Sequence, residues 1–167
     1  MTRLDVAFAV EDEAWAEALP DAEEVCRRAA LAALGAVETD DLGEWLELSV
    51  VLADDETVRQ LNRDWRGKDS ATNVLSFPGL DDEFEPAPEG APLLLGDVIL
   101  AYGTCAAESQ RDEVPFAHHL SHLVVHGVLH LLGFDHETPE DAEEMEALEV
   151  EILAGLGIDN PYLGDLV

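Results

Sequence analysis

Lysine occurs once in this chain, at Lys68, and the 8 basic residues stand against 38 acidic ones, for a formal net charge of −30. So lopsided a balance excludes broad electrostatic attraction to a phosphate backbone as the main mode of binding. A carboxylate-rich, lysine-poor surface suits another condition, high salt, in which it stays hydrated and soluble. At ~1 M salt the Debye length is ~3 Å, so global repulsion fades while short contacts survive. We read the acidity as adaptation to high salt. Melting temperature should then rise with salt concentration, and full stability in dilute buffer would overturn the reading.

Cysteine is almost as scarce. Cys26 and Cys105 lie far apart in no metal or redox spacing, which excludes a disulfide framework and leaves two reduced thiols, in the core or on the surface. Long apolar runs are missing too: "LLLGDVILAYG" falls well short of a membrane span. The start, "MTRLDVAFAVEDEAW", lacks the basic residues and unbroken apolar run of a signal peptide. The expectation is a cytoplasmic protein with no membrane partner. No repeat period is visible, and 167 residues with 47% hydrophobic content suit one domain, 1–167, with a real core.

What is present reads as strands early and helices late. Residues 2–10 alternate as a first strand and 44–53 form a second. "TNVLSFPGL" is a strand stopped by Pro78, and "LLLGDVILA" (93–101), nearly all apolar, belongs at the centre of a sheet. Helices are predicted over 21–34, with Val25, Ala29 and Ala32 inward and Gly35 as stop, and over 54–66, capped by Asp54 or Asp55. Two more follow, near 102–110 and 115–132. The last opens on "TPED", with Thr138 as N-cap and Pro139 at the first helical position. Its inner face is Ala142, Met145, Leu148 and Ile152, its outer face almost wholly glutamate. The segment 81–92, with three prolines and five acids, is expected to be a flexible acidic loop. The fold class is α+β: a small mixed four-stranded sheet with about five helices packed on it.

Histidine is absent outside residues 118–136. Within "HGVLHLLGFDH" (126–136), His126 and His130 are spaced i, i+4 on one face of a helix that is apolar almost all round. Buried imidazoles need partners for both nitrogens. Gly133 can adopt the left-handed conformation that ends the helix and returns His136 to the pair. Three converging imidazoles with a water in the fourth position are the pattern of a catalytic zinc. His118 and His122 continue the spacing but drift ~40° per step around the helix, as surface or outer-shell residues. The frame is that of the zinc peptidases, H-E-x-x-H-x-x-G-x-x-H, with Gly127 in place of the general-base glutamate, which argues against peptide hydrolysis. A mid-helix glycine costs ~1 kcal/mol, so Gly127 either makes room for a substrate or lets the helix pack closely.

Four of the 8 basic residues cluster in "RQLNRDWRGKDSATNVLSFPG": Arg59, Arg63, Arg66 and Lys68. A solvated helix face accounts for Arg59 and Arg63. Together, "LNRDWRGKDSATNVLSFP" (61–78), "LLGDVIL" (94–100), "HGVLHLLGFDH" (126–136), "EEMEALE" (143–149) and "NPYL" (160–163) resemble the YbeY family of bacterial rRNA maturation factors and endoribonucleases. The likeness runs from about Glu44 to Leu163, with Ala71 where many members have proline.

That resemblance implies one α+β domain with one zinc ion on His126, His130 and His136, and an arginine at Arg66 facing the metal cleft. It implies single-strand-specific RNA cleavage in small-subunit rRNA 3′-end maturation and ribosome quality control, with a small-subunit ribosomal protein and an Era-type GTPase as partners. The chemistry is compatible, since an arginine fork matches the non-bridging oxygens of a phosphodiester. Arg66 is therefore assigned to phosphate clamping and transition-state stabilisation, with Lys68 as a weaker contact. Asn73 and Ser76 line the groove or hold the strand edge; Asp135 orients a histidine or shapes the turn. The alternatives are a non-enzymatic ribosome-assembly factor with a structural zinc, or another metal-dependent hydrolase.

Overall fold

The computed structural model describes residues 3–37, 45–78, 92–134 and 137–161. Four strands, β1 (Arg3–Val10), β2 (Trp45–Ala53), β3 (Val74–Pro78) and β4 (Leu93–Ala101), form one sheet in the order β1-β2-β4-β3. β4 pairs parallel with β2 and antiparallel with β3, so the most apolar strand is central, as its sequence requires. β1 runs parallel to β2 at one edge, and β3 forms the other. The sheet is mixed and four-stranded, as expected; the predicted loop at 81–92 lies, but for its last residue, outside the described residues.

Six helices accompany it: α1 (Glu13–Ala18), α2 (Ala22–Gly35), α3 (Asp55–Arg66), α4 (Tyr102–Arg111), α5 (Phe116–Leu131) and α6 (Pro139–Gly155). α1 is the addition, too short for periodicity to reveal. Asp12 caps it by accepting from the Ala14 N–H at 3.0 Å. It delivers Trp15 to the core, where the indole N–H donates to Ala53 O at 2.9 Å and the ring meets Tyr102 and Phe116. Asp54 caps α3 through the Thr57 N–H at 2.7 Å. Thr138 caps α6 through the Asp141 N–H at 3.1 Å, with Pro139 in the first turn.

The main core lies between one sheet face and the helices α2, α5 and α6, and takes Leu95, Val98 and Leu100 from β4. The alternate residue Ile99 faces the other way, into a smaller cluster with Val58 and Leu75 beneath α3. α2 is rotated from its predicted setting: Ala22, Cys26, Ala29, Ala30, Ala33 and Leu34 are buried, while Val25 and Ala32 sit half-buried at the border. Both cysteines are core residues. Burial pushes the Cys26 thiol up to about 12 and raises that of Cys105 as well, so neither is a reactive thiolate at neutral pH.

α5 lies unusually close to the sheet. A Cβ at Gly127 would stand 2.9 Å from Val98 Cγ1 and 3.1 Å from Ser76 Oγ. Close packing, not room for a substrate, therefore explains the glycine. Alanine would gain ~1 kcal/mol of helix propensity, but overpacking costs about 1–3 kcal/mol. Val98 is fully buried and β-branched, so it has little freedom to step aside. Gly127→Ala should lower the melting temperature, by about 2–4 °C for each kcal/mol of net loss. A raised melting temperature would show the approach to be looser.

Candidate active site

α5 is built from residues that want to be inside: Leu120, Leu123, Val124, Val125, Val128, Leu129 and Leu131 are all buried. Its end is set by Gly133, at φ +103°. The Phe134 N–H donates to Leu129 O at 3.0 Å and the Gly133 N–H to His130 O at 3.1 Å, the paired bonds of a glycine-stopped helix. The predicted stop is therefore in place. The next two residues, Asp135 and the third expected ligand His136, lie outside the described residues.

The first two expected ligands are brought together. His126 Nε2 and His130 Nε2 are 3.1 Å apart, with ring centroids 4.5 Å apart. Two imidazole nitrogens each 2.0–2.1 Å from one zinc ion at a tetrahedral angle are about 3.3 Å apart. The observed separation is close to that spacing. Among the described residues no three of His, Cys, Asp and Glu form a ligand set; these residues supply two imidazoles of the expected three.

Sequence reasoning missed the group that holds the first of them. Glu149, assigned to the polar face of α6, is fully buried. The His126 Nδ1–H donates to Glu149 Oε1 at 2.6 Å, and His122 Nε2 lies 3.7 Å from Oε2. A carboxylate without partners in a core is strongly destabilising; between two imidazoles it is accommodated. Its bond to Nδ1 leaves Nε2 as the lone-pair nitrogen, the tautomer a metal needs. A signal was available. Glu149 falls between Met145 and Ile152 at helical spacing, on the buried stripe, and a ligand histidine calls for a partner on its second nitrogen.

A cleft of about 560 Å³ opens at the pair, lined by Thr72, Asn73, Val74, Ser76 and Pro78 along edge strand β3, by His126, His130 and Leu131, and by Arg66 and Glu137. Arg66 comes from the last turn of α3, where Gly67 stops the helix. Two polar residues on and just before β3 are already engaged: Ser76 Oγ–H donates to Gly127 O at 3.1 Å, and Asn73 Nδ2–H to Glu108 Oε1 at 3.0 Å. They line the cleft and fix the strand edge at once. Glu137 had nothing in the sequence to distinguish it among 38 acids.

The cations sort cleanly. Arg3, Arg27, Arg28, Arg59, Arg63 and Arg111 each pair with a nearby carboxylate. Arg66 and Lys68 make no ion pair with a described residue. Arg59 and Arg63 are thus solvated helix residues, as read from sequence. Lys68 is exposed beyond the end of α3 and is not among the residues lining the cleft.

The upstream histidines line a second cavity of about 640 Å³ that shares Asn73 with the cleft and holds His118, His119, His122 and Arg111. His119 Nε2 and Glu108 Oε1 are 3.0 Å apart. His122 lies 3.7 Å from Oε2 of Glu149, the carboxylate that also holds His126.

Comparison with known proteins identifies the family. The family described as Endoribonuclease YbeY matches residues 10–157. A protein named Endoribonuclease YbeY from Paramagnetospirillum magneticum is 62% identical over 159 residues, covering 95% of this chain and 96% of its own. Its namesake from Azorhizobium caulinodans is 53% identical over 163 residues, covering 95% and 96%. The solution structure of TM1509 from Thermotoga maritima superposes with a TM-score of 0.52 at 20% identity, covering 91% of each chain, a likeness of fold. Among the described residues no helix is long and apolar enough to cross a membrane.

Proposed function

The chain belongs to the YbeY family of endoribonucleases, and from that premise we propose that it cuts single-stranded RNA during small-subunit rRNA 3′-end maturation, with one zinc ion on His126, His130 and His136 and a phosphate clamp at Arg66. One observation carries the reading. In a chain with 38 acidic residues, Arg66 makes no ion pair with a described carboxylate and lines the same cleft as His126 and His130. A cation kept out of so many available pairs is placed for an anion from outside.

The residues divide the work as follows. His126, His130 and His136 would hold the zinc ion, which would supply Lewis acidity and, with it, a nucleophile or base near neutrality. Arg66 engages two non-bridging oxygens of the scissile phosphate and stabilises the charge that grows there. Lys68 draws the neighbouring phosphates toward the rim. Ser76 and Asn73, tied to α5 and to Glu108, keep the β3 wall of the cleft rigid. Glu149 holds His126 in its ligating tautomer and orientation, and through α6 connects the site to the core.

Partners are RNA, in the form of the rRNA precursor and ribosome, with a small-subunit ribosomal protein and an Era-type GTPase; the setting is cytoplasmic. A purely structural zinc accounts less well for an uncommitted arginine beside it. Cleavage of an unstructured RNA by nuclease-free protein, lost with chelator and restored by zinc, tests the reading; binding of ribosomal precursors with no cutting would favour an assembly factor.

The buried carboxylate gives a separate test. Glu149→Gln preserves size and a hydrogen-bond acceptor but weakens the bond to His126. Loss of such a partner typically costs 10–100-fold in metal affinity. We expect about a tenfold loss for Glu149→Gln and more for Glu149→Leu, read by chelator competition on folded protein. Equal affinities in all three proteins would remove Glu149 from the site.

A further inference from the structure

Trp65 is the most exposed large apolar side chain among the described residues, at 73%, against 46% for Val10 and Leu31. It continues the inward stripe of α3 through Val58, Leu61 and Asn62 at helical spacing, and its ring makes a T-shaped pair with Phe77, with centroids 6.4 Å apart, yet most of it stays exposed. A single exposed hydrophobe needs no explanation by itself. The place it occupies does.

Phe77 lies between Ser76 and Pro78, both of which line the cleft, and Arg66, the next residue after Trp65, lines it too. Trp65 therefore stands just around the β3 edge from the metal pair, on the α3 face of the sheet. Arg66 and Lys68, the two cations without an ion pair to a described residue, follow it closely in the chain, one at the last position of α3 and one just past its end. The nearby charges of opposite sign are committed: Asp64 to Arg63 and Asp69 to Arg59. An open indole face beside uncommitted cations is the surface by which proteins hold unpaired nucleotides, with bases stacking on the ring while phosphates meet the charges.

We propose that Trp65 is a nucleobase-stacking site, which takes the face of an unpaired RNA base close to the phosphate gripped by Arg66. The inference rests on the endoribonuclease reading and adds to it a reason for single-strand preference. A base inside a duplex has both faces covered by its neighbours and has none to offer the indole.

The test is steady-state cleavage of a single-stranded oligoribonucleotide by the zinc-loaded protein at fixed salt. Base–aromatic stacking is worth about 1–3 kcal/mol, so Trp65→Ala should raise KM about tenfold or more. Zinc content and kcat should stay within twofold, and Trp65→Phe should restore most of the loss. Binding of the oligonucleotide should also quench tryptophan fluorescence in the wild type and not in Trp65→Phe. Unchanged KM in Trp65→Ala, or Trp65→Phe no better than alanine, overturns the stacking site alone. Wild-type protein that leaves RNA intact overturns the endoribonuclease reading and the stacking site with it.

Discussion

His130→Ala should abolish RNA cleavage and bring bound zinc down to background. The His126 and His130 nitrogens sit 3.1 Å apart, close enough that both would hold the same cation. Removing one imidazole would leave two of the three proposed ligands and open the ion to exchange. Because metal activation of water and charge supplies several kcal/mol at the transition state, the loss in rate should be at least about a thousandfold. His126→Ala and His136→Ala should behave alike. Metal analysis beside cleavage with and without chelator reads both effects. Circular dichroism separates loss of metal from loss of fold, since His130 is only half-buried at the end of its helix. A His130→Ala protein with stoichiometric zinc and wild-type rate would dismiss the metal site.

Arg66→Ala should produce the complementary phenotype, with zinc retained and cleavage lost. As the proposed clamp, the side chain would offer charge and a planar fork to the negative charge that grows on phosphate, and removal of one such stabilising group costs about 10²–10³ in rate. The acidity of the chain sharpens the effect. Without Arg66 the cleft retains Glu137 and no cationic side chain among its lining residues. Arg66→Lys should recover part of the activity, because it restores the charge but not the two-pronged geometry. Comparison of kcat/KM for the three proteins at one salt concentration decides the matter. Wild-type activity in Arg66→Ala would discard the clamp.

The sequence made the scaffold legible where local and global preferences agree. The apolar run of β4 placed it centrally, Thr138 and Pro139 marked the start of α6, and Gly133 marked the end of α5. It concealed features that defy pattern. α1 spans only 13–18, less than two turns, so no period develops, although it carries the core residue Trp15. α2 turned its alanines rather than Val25 to the centre, because small residues permit close approach to α5. Glu149 was hidden by the rule that glutamate faces water, a rule that fails where a histidine needs a partner. His126 and His130 could be read from spacing alone. Arg66 could not; it came from family likeness, and its lack of a described ion-pair partner is visible only in three dimensions.

The close seat of α5 on the sheet reaches beyond stability. The zinc peptidases carry glutamate where this chain has Gly127, yet a single methyl there already meets Val98 at 2.9 Å. A longer acid at that point would have to push the helix off β4 and drag the ligand pair with it. The two hydrolytic trades are thus not one mutational step apart: this scaffold is locked out of its look-alike's chemistry by the thickness of its own floor.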